Sequence, residues 1–356
     1  MTMEHEIDKG TSVDTQQSAV RTYYGETLQA SSDLRTTACC SIGAMPKPLR
    51  SILSQLHPEV RERFYGCGSP LPPALDGRTV LDLGCGSGRD AYLLSSLVGE
   101  QGRVIGVDMT AQQLEVADRH RAFHARAFGY AHSNVEFHLG DLADLAALGI
   151  ADNSVDVVVS NCVLNLVPDK RRAFAETFRV LKPGGELYFS DVFSDRRLPH
   201  ELLADPLLLG ECLAGALYVE DFRRLLDQLG VADARVCERG PIALTDAAIE
   251  QRIGFATFES ITWRAFKLPL EDRCEDYGQV ATYLGGLAEY PHHFVLDDHH
   301  RFERGHPALV CGNTADMLSG SRHAAYFRID GDKRRHYGLF NRPAAAPAGN
   351  SAPSCC

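Results

Sequence analysis

No CxxC spacing occurs among the eleven cysteines of this 356-residue chain, which removes the usual zinc-ribbon and thioredoxin-like signatures. Basic charge is in short supply: 36 Lys and Arg stand against 47 Asp and Glu, a net charge of −11. That balance argues for no nucleic-acid partner, because phosphate contacts rest on Lys and Arg. Long hydrophobic runs are missing too. The longest, Val155 to Val167, is broken by Asp156, Ser160, Asn161 and Asn165, and falls short of the roughly 20 residues a membrane helix needs. Met1 to Gly10 is polar and acidic, without the apolar stretch of an export signal. The expectation is a cytoplasmic protein with no membrane partner. In that reducing setting eleven cysteines are an excess, and they point to metal or redox chemistry.

What is present has a clear order. Residues 1–68 read as a helical N-terminal segment, with apolar residues at helical intervals over Gln16–Leu28 and Pro46–Phe64. Thr79–Leu83, Arg103–Val107, Val135–Leu139, Val155–Ser160 and Glu186–Asp191 read as short buried strands. Between them lie helical stretches, including Asp90–Val98, Ala111–Phe128 and Lys170–Leu181, and Pro183-Gly184-Gly185 reads as a stop before the last strand. Strand and helix in alternation predict a parallel, doubly wound α/β domain over 69–235. Residues 198–230 read as helical again. A smaller α+β domain is expected over 236–341, with strands near Ala281–Leu284, His293–Leu296, Arg301–Glu303 and Ala308–Cys311. A disordered tail rich in Ala, Pro, Gly and Ser follows over 342–356, ending in Cys355-Cys356.

Val80-Leu81-Asp82-Leu83-Gly84-Cys85-Gly86-Ser87-Gly88 runs a strand into three glycines and then a helix. Glycines let the backbone turn tightly and approach a ligand without an intervening Cβ. The dinucleotide fingerprint requires GxGxxG, whereas this loop is GxGxG with Asp82 before it. A carboxylate there suits a ligand carrying an ammonium group and no phosphates. Asp108 closes the second strand, 24 residues after Gly84, where an acid accepts ribose hydroxyls. Asp141, after the third strand, lies in the region of an adenine ring. Together these features resemble the class I S-adenosylmethionine methyltransferases, a Rossmann-like fold.

The cysteine segments narrow the resemblance. Tyr23-Tyr24-Gly25, Asp33 to Cys39, Tyr65-Gly66-Cys67-Gly68, Ser160 to Lys170, Leu187 to Val192 and Gly210-Glu211-Cys212-Leu213 closely resemble the arsenite methyltransferases, continuously from about Tyr23 to Leu217. The resemblance implies Cys67, Cys162 and Cys212 as ligands of the trivalent arsenic substrate, with Cys39 as a redox partner. Cys40 adjoins Cys39 and leaves the choice between them open. Cofactor contacts are implied at Tyr65, Gly84, Asp108, Met109, Leu142 and Asn161, beside Asp82, Gly86 and Gly88 from the loop itself. Formation of a disulfide between Cys39 and Cys67 is implied as the electron source after methyl transfer, reset by a thiol reductant of the thioredoxin or glutathione kind. Cys85 reads as a packing residue, and Cys237, Cys274 and Cys311 match none of the motifs.

Soft trivalent arsenic prefers thiolates, so an acidic protein without a basic pocket fits. Two other classes stay open on the residues alone: a methyltransferase for another small molecule, and a non-catalytic arsenic-binding protein. His292-His293 and His299-His300 read as a solvated hairpin, because adjacent strand residues point to opposite faces. A monomer is expected.

Overall fold

The computed structural model describes residues 9–27, 47–244 and 246–340. Cys39, Cys40, Cys355, Cys356 and the tail lie outside them. Helix α1 (Lys9–Thr22) widens into a π-helical turn at Tyr23–Thr27. Short α2 (Lys47–Leu53) and α3 (Pro58–Glu62) follow. The alternating region then gives β1 (Thr79–Leu83), α4 (Arg89–Val98), β2 (Arg103–Asp108), α5 (Ala111–Arg119), α6 (Arg121–Phe128), β3 (Val135–Leu139), β4 (Val155–Asn161), α7 (Lys170–Val180) and β5 (Leu181–Ser194). Next come α8 (Pro206–Gly210), β6 (Leu217–Tyr218), α9 (Val219–Gln228), β7 (Ala234–Ile242), α10 (Ala247–Ile253) and β8 (Phe258–Phe266). The last part carries β9 (Gln279–Tyr283), β10 (His293–Val295), β11 (Arg301–Glu303), β12 (Pro307–Val310), α11 (Gly312–Ser319) and β13 (Phe327–Asp330).

The main sheet runs β3-β2-β1-β4-β5-β8-β7, with β6 on the end of β5. The first five strands are parallel, as their sequence predicts. Two strands that sequence reading missed, β7 and β8, extend the sheet in antiparallel fashion. The boundary read at residue 235 therefore falls inside β7, and the separate three-stranded sheet, β12-β9-β13, begins only at Gln279. Pro183-Gly184-Gly185 does not stand between helix and strand. It forms a bulge within β5, where Leu181 pairs with Val155 and Glu186 with Val157. Residues 111–128 make two helices that part at His120, and the 198–230 stretch is interrupted by β6.

Side chains alternate across the sheet as the strand period requires. Leu81, Leu83, Ile105, Val107, Val158 and Leu187 face Phe174 and Phe178 of α7, Phe222 of α9 and Trp263. Val80, Val104, Val157 and Val159 face Tyr92, Leu93 and Val98 of α4 and Leu114 of α5. Helices thus cover both faces and leave the strands' carboxyl ends open between them.

A buried ion cluster fastens the last part of the chain to this core. Glu186 on β5 accepts from Arg264 Nε on β8 at 2.6 Å and also binds Arg322, and all three side chains are buried. Arg264 also donates to the carbonyl of Leu296. Removing one member leaves a charge buried without its partner, which costs about 3–5 kcal/mol. Glu186→Gln is therefore expected to lower unfolding stability by about that amount, read from the urea midpoint.

Candidate active site

The carboxyl ends of β1, β2 and β4, with the loop after β3, open onto one cleft. The glycine loop forms its floor. Gly84, Gly86 and Gly88 have φ of +71°, +52° and +87°, a region side chains other than glycine rarely adopt. At Gly84 an added Cβ would also lie 2.3 Å from the Val163 side chain. Gly88 caps α4 and does not face the cleft, whereas Tyr65, Asp82, Gly84, Gly86, Asp108, Met109, Leu142 and Asn161 all line it.

Three carboxylates define its electrostatics. Asp108 accepts from Gly86 N at 2.9 Å and Thr110 N at 2.8 Å, which fixes its orientation against the loop. Asp82 is buried, and its Oδ2 has no hydrogen-bond partner. Burial, and then the charges of Asp90 and Asp108, push its carboxyl well above the usual carboxylate range. Asp90, in the first turn of α4, is buried; its Oδ1 has no hydrogen-bond partner and stands 3.8 Å from Nε of the buried Arg89, and sequence reading missed it. Two unsatisfied buried carboxylate oxygens in one cleft call for a cationic ligand group. Cys85 lines the same cleft, but burial followed by the Asp108 and Asp82 charges pushes its thiol well up, as suits a packing residue.

Beside this cleft the three candidate arsenic ligands come together. Cys67 and Cys162 are joined as a disulfide, with Cα atoms 5.7 Å apart. This is not the Cys39–Cys67 pairing that the resemblance implies; Cys39 lies outside the described residues. Cys212 approaches from the far side, its Sγ 3.3 Å from the carbonyl oxygen of Cys162. Cys162 and Cys212 have φ of +59° and +60°. Left-handed backbone at a residue with a Cβ costs roughly 1–3 kcal/mol and gathers at functional sites. Only four non-glycine residues among those described adopt it, and two are these cysteines. Asp191 stands next to them, with a carboxylate oxygen within 4.8 Å of both the Cys67 and Cys162 sulfurs. Burial raises its carboxyl to about 7, against the pull of backbone donors from Val192 and Asn165.

Asn161 welds the two halves together. Its Oδ1 accepts from Cys67 N at 3.0 Å and Gly68 N at 3.2 Å, while Nδ2 donates to Gly68 O at 3.0 Å and Asp90 Oδ2 at 2.9 Å. The Cys67 loop is further held by Ser260 Oγ donating to Cys67 O at 2.9 Å, a contact that exists only because β8 joins the main sheet. Behind the loop, α3 is clamped to α5 and α6: His120 Nε2 meets Glu59 at 2.7 Å, and the His57 and His120 rings stack at 3.7 Å. From above, α1 roofs the cleft, with Gln17 donating to Asp141 at 3.0 Å and Gln113 donating to Tyr24 O at 2.9 Å.

A family model described as a methyltransferase domain matches residues 74–230. An arsenite methyltransferase from Aquipseudomonas alcaligenes is 53% identical over 348 residues, covering 95% of this chain and 99% of the relative. The chain belongs to the arsenite methyltransferase family. The human arsenite methyltransferase is 42% identical across 88% of this chain and 83% of its own length. The crystal structure of an arsenic(III) S-adenosylmethionine methyltransferase from Chlamydomonas reinhardtii superposes with a TM-score of 0.81 at 51% identity, covering 83% of this chain and 100% of that one. The class I methyltransferase fold of the family is the one described above.

His293 and His300 lie in or beside the β10–β11 hairpin, with His300 Nδ1 held by Asp297 at 2.7 Å. Cys237 and Cys311 are free thiols, and Cys274 is disulfide-bonded. No helix among the described residues is long and apolar enough to cross a membrane.

Proposed function

We propose that this chain is an arsenite methyltransferase, carrying a methyl group from S-adenosylmethionine to trivalent arsenic bound by Cys67, Cys162 and Cys212. The observation that carries the reading is the pair of left-handed cysteines, Cys162 and Cys212, gathered with Cys67 at the edge of a cleft where Asp82 and Asp90 each keep one oxygen without a hydrogen-bond partner. A merely structural thiol has no need of a strained backbone.

Once the Cys67–Cys162 disulfide is reduced, the three thiols can displace the three hydroxides of arsenite as water. Arsenic then keeps one lone pair. The bound cofactor supplies an electrophilic methyl group on a positively charged sulfur. Asp82 and Asp90 fit its ammonium group, Asp108 its ribose hydroxyls, and Leu142 and Met109 the apolar sides of its adenine. The protein's contribution to the transfer is chiefly positioning, which can supply about 7–11 kcal/mol. No proton has to leave arsenic at the moment of attack, so no general base is called for. Gaining the methyl oxidises arsenic by two electrons; a free thiolate then attacks one arsenic-bound sulfur, and as that disulfide forms the As–S bonding pair stays on arsenic and returns it to the trivalent state. Cys39 is the redox partner in this reading, and an external thiol of the thioredoxin or glutathione kind resets the disulfide.

The test is to incubate the reduced protein with arsenite, S-adenosylmethionine and dithiothreitol, and to separate the arsenic species by chromatography and mass spectrometry. Methylated arsenic is the expected product. None from a folded protein that still binds S-adenosylhomocysteine would sink the arsenic reading. In the same preparation Gly84→Ala, which meets Val163 and an unfavourable φ, is expected to weaken S-adenosylhomocysteine at least tenfold by calorimetry.

A further inference from the structure

The sequence places Tyr23-Tyr24 nearly two hundred residues from Cys212, and the fold brings them into contact. Tyr24 Oη donates to the carbonyl of Gly210 at 2.7 Å and lies 3.8 Å from Cys212 Sγ. Tyr23 Oη donates to the buried Glu211 carboxylate at 2.8 Å. The two tyrosines thus hold the Gly210-Glu211-Cys212 turn along its length. Gly210 is required there, because a Cβ would lie 2.5 Å from the Tyr23 ring. At the end of this turn Cys212 takes its left-handed φ of +60°. A backbone in that region returns to an ordinary conformation unless its surroundings over-determine it.

The same tyrosine reaches the other half of the site. Its ring meets that of Tyr65 edge-on at 5.7 Å, and both line the cleft with Cys162. Its carbonyl oxygen is held by Gln113 of α5 at 2.9 Å. The hydroxyl therefore stands at a fixed point between the cofactor cleft and the third thiol.

We propose that Tyr24 is a positioning residue of the arsenic site, whose hydroxyl holds the Gly210–Cys212 turn and thereby aims the Cys212 sulfur at the substrate. This rests on the arsenite methyltransferase reading. The hydroxyl acts through the turn and through its 3.8 Å contact with the Cys212 sulfur. It sets where the third thiolate stands, so its loss is felt in arsenic affinity rather than in cofactor affinity.

Tyr24→Phe removes the hydroxyl and keeps the ring. In the reduced full-length protein, calorimetry with arsenite in the presence of S-adenosylhomocysteine is expected to show binding weakened about tenfold, the upper range for one lost hydrogen bond. The KM for arsenite rises by a similar factor. Affinity for S-adenosylhomocysteine and the melting temperature should stay near wild type. Unchanged arsenite binding would overturn the proposal. So would parallel losses of arsenite binding, S-adenosylhomocysteine binding and melting temperature, which mark a packing role. Cys212→Ser is measured alongside. If it binds and methylates arsenite normally, the arsenic-site reading itself has failed. If it is inactive while Tyr24→Phe is normal, only the tyrosine's role has failed.

Discussion

Cys212→Ser is expected to bring arsenite methylation below detection, a loss of at least a thousandfold, while S-adenosylhomocysteine binds within twofold of wild type. Serine is nearly isosteric, so the buried turn keeps its packing and its left-handed backbone. What is lost is the soft donor, and trivalent arsenic does not exchange thiolate for alkoxide on favourable terms. Cys162→Ser should behave alike. The assay is product formation under saturating cofactor and dithiothreitol, with calorimetry of S-adenosylhomocysteine as the control for folding. Substantial methylation by either variant would return the cysteines to the role of core residues and leave the acceptor unknown.

Asp82→Asn gives the converse pattern. Its Oδ2 is buried and has no hydrogen-bond partner, and the nearby Asp90 and Asp108 charges raise the cost of holding the carboxylate ionised. An ammonium group in the cleft relieves both. Removing one partner of a buried charge pair costs about 2–5 kcal/mol, so affinity for S-adenosylmethionine should fall at least about thirtyfold. Arsenite binding to the reduced variant should survive. An asparagine variant with wild-type cofactor affinity would mean that this carboxylate faces no cation, and Asp90 would become the stronger candidate.

Much of this was legible in the residues because the signals are local. Gly84, Gly86 and Gly88 announce a tight turn by composition, and the five parallel strands announce themselves by apolar runs. Other features depend on partners far away in sequence. β8 contains Glu259 and Arg264, which argue against a buried strand until Arg264 meets Glu186. β7 carries Gly240 and Pro241, residues that suit an edge strand and disguise it. Nothing about Cys162 or Cys212 in isolation foretells a left-handed backbone, because that conformation is imposed by the packing around them. Asp90 reads as an ordinary helix-start acid, and what distinguishes it is a buried oxygen in the cleft without a hydrogen-bond partner. The Cys67–Cys162 disulfide joins residues 95 apart, a pairing no local pattern encodes.

The amide of Asn161 has one further consequence. A single side chain grips Asp90 beside the glycine loop and the Cys67–Gly68 backbone beside the cysteine cluster. A ligand that shifts this carboxamide from either side is expected to alter the affinity of the other. Thermodynamic linkage makes such an influence mutual: whatever factor the cofactor applies to arsenical affinity, the arsenical applies to the cofactor's.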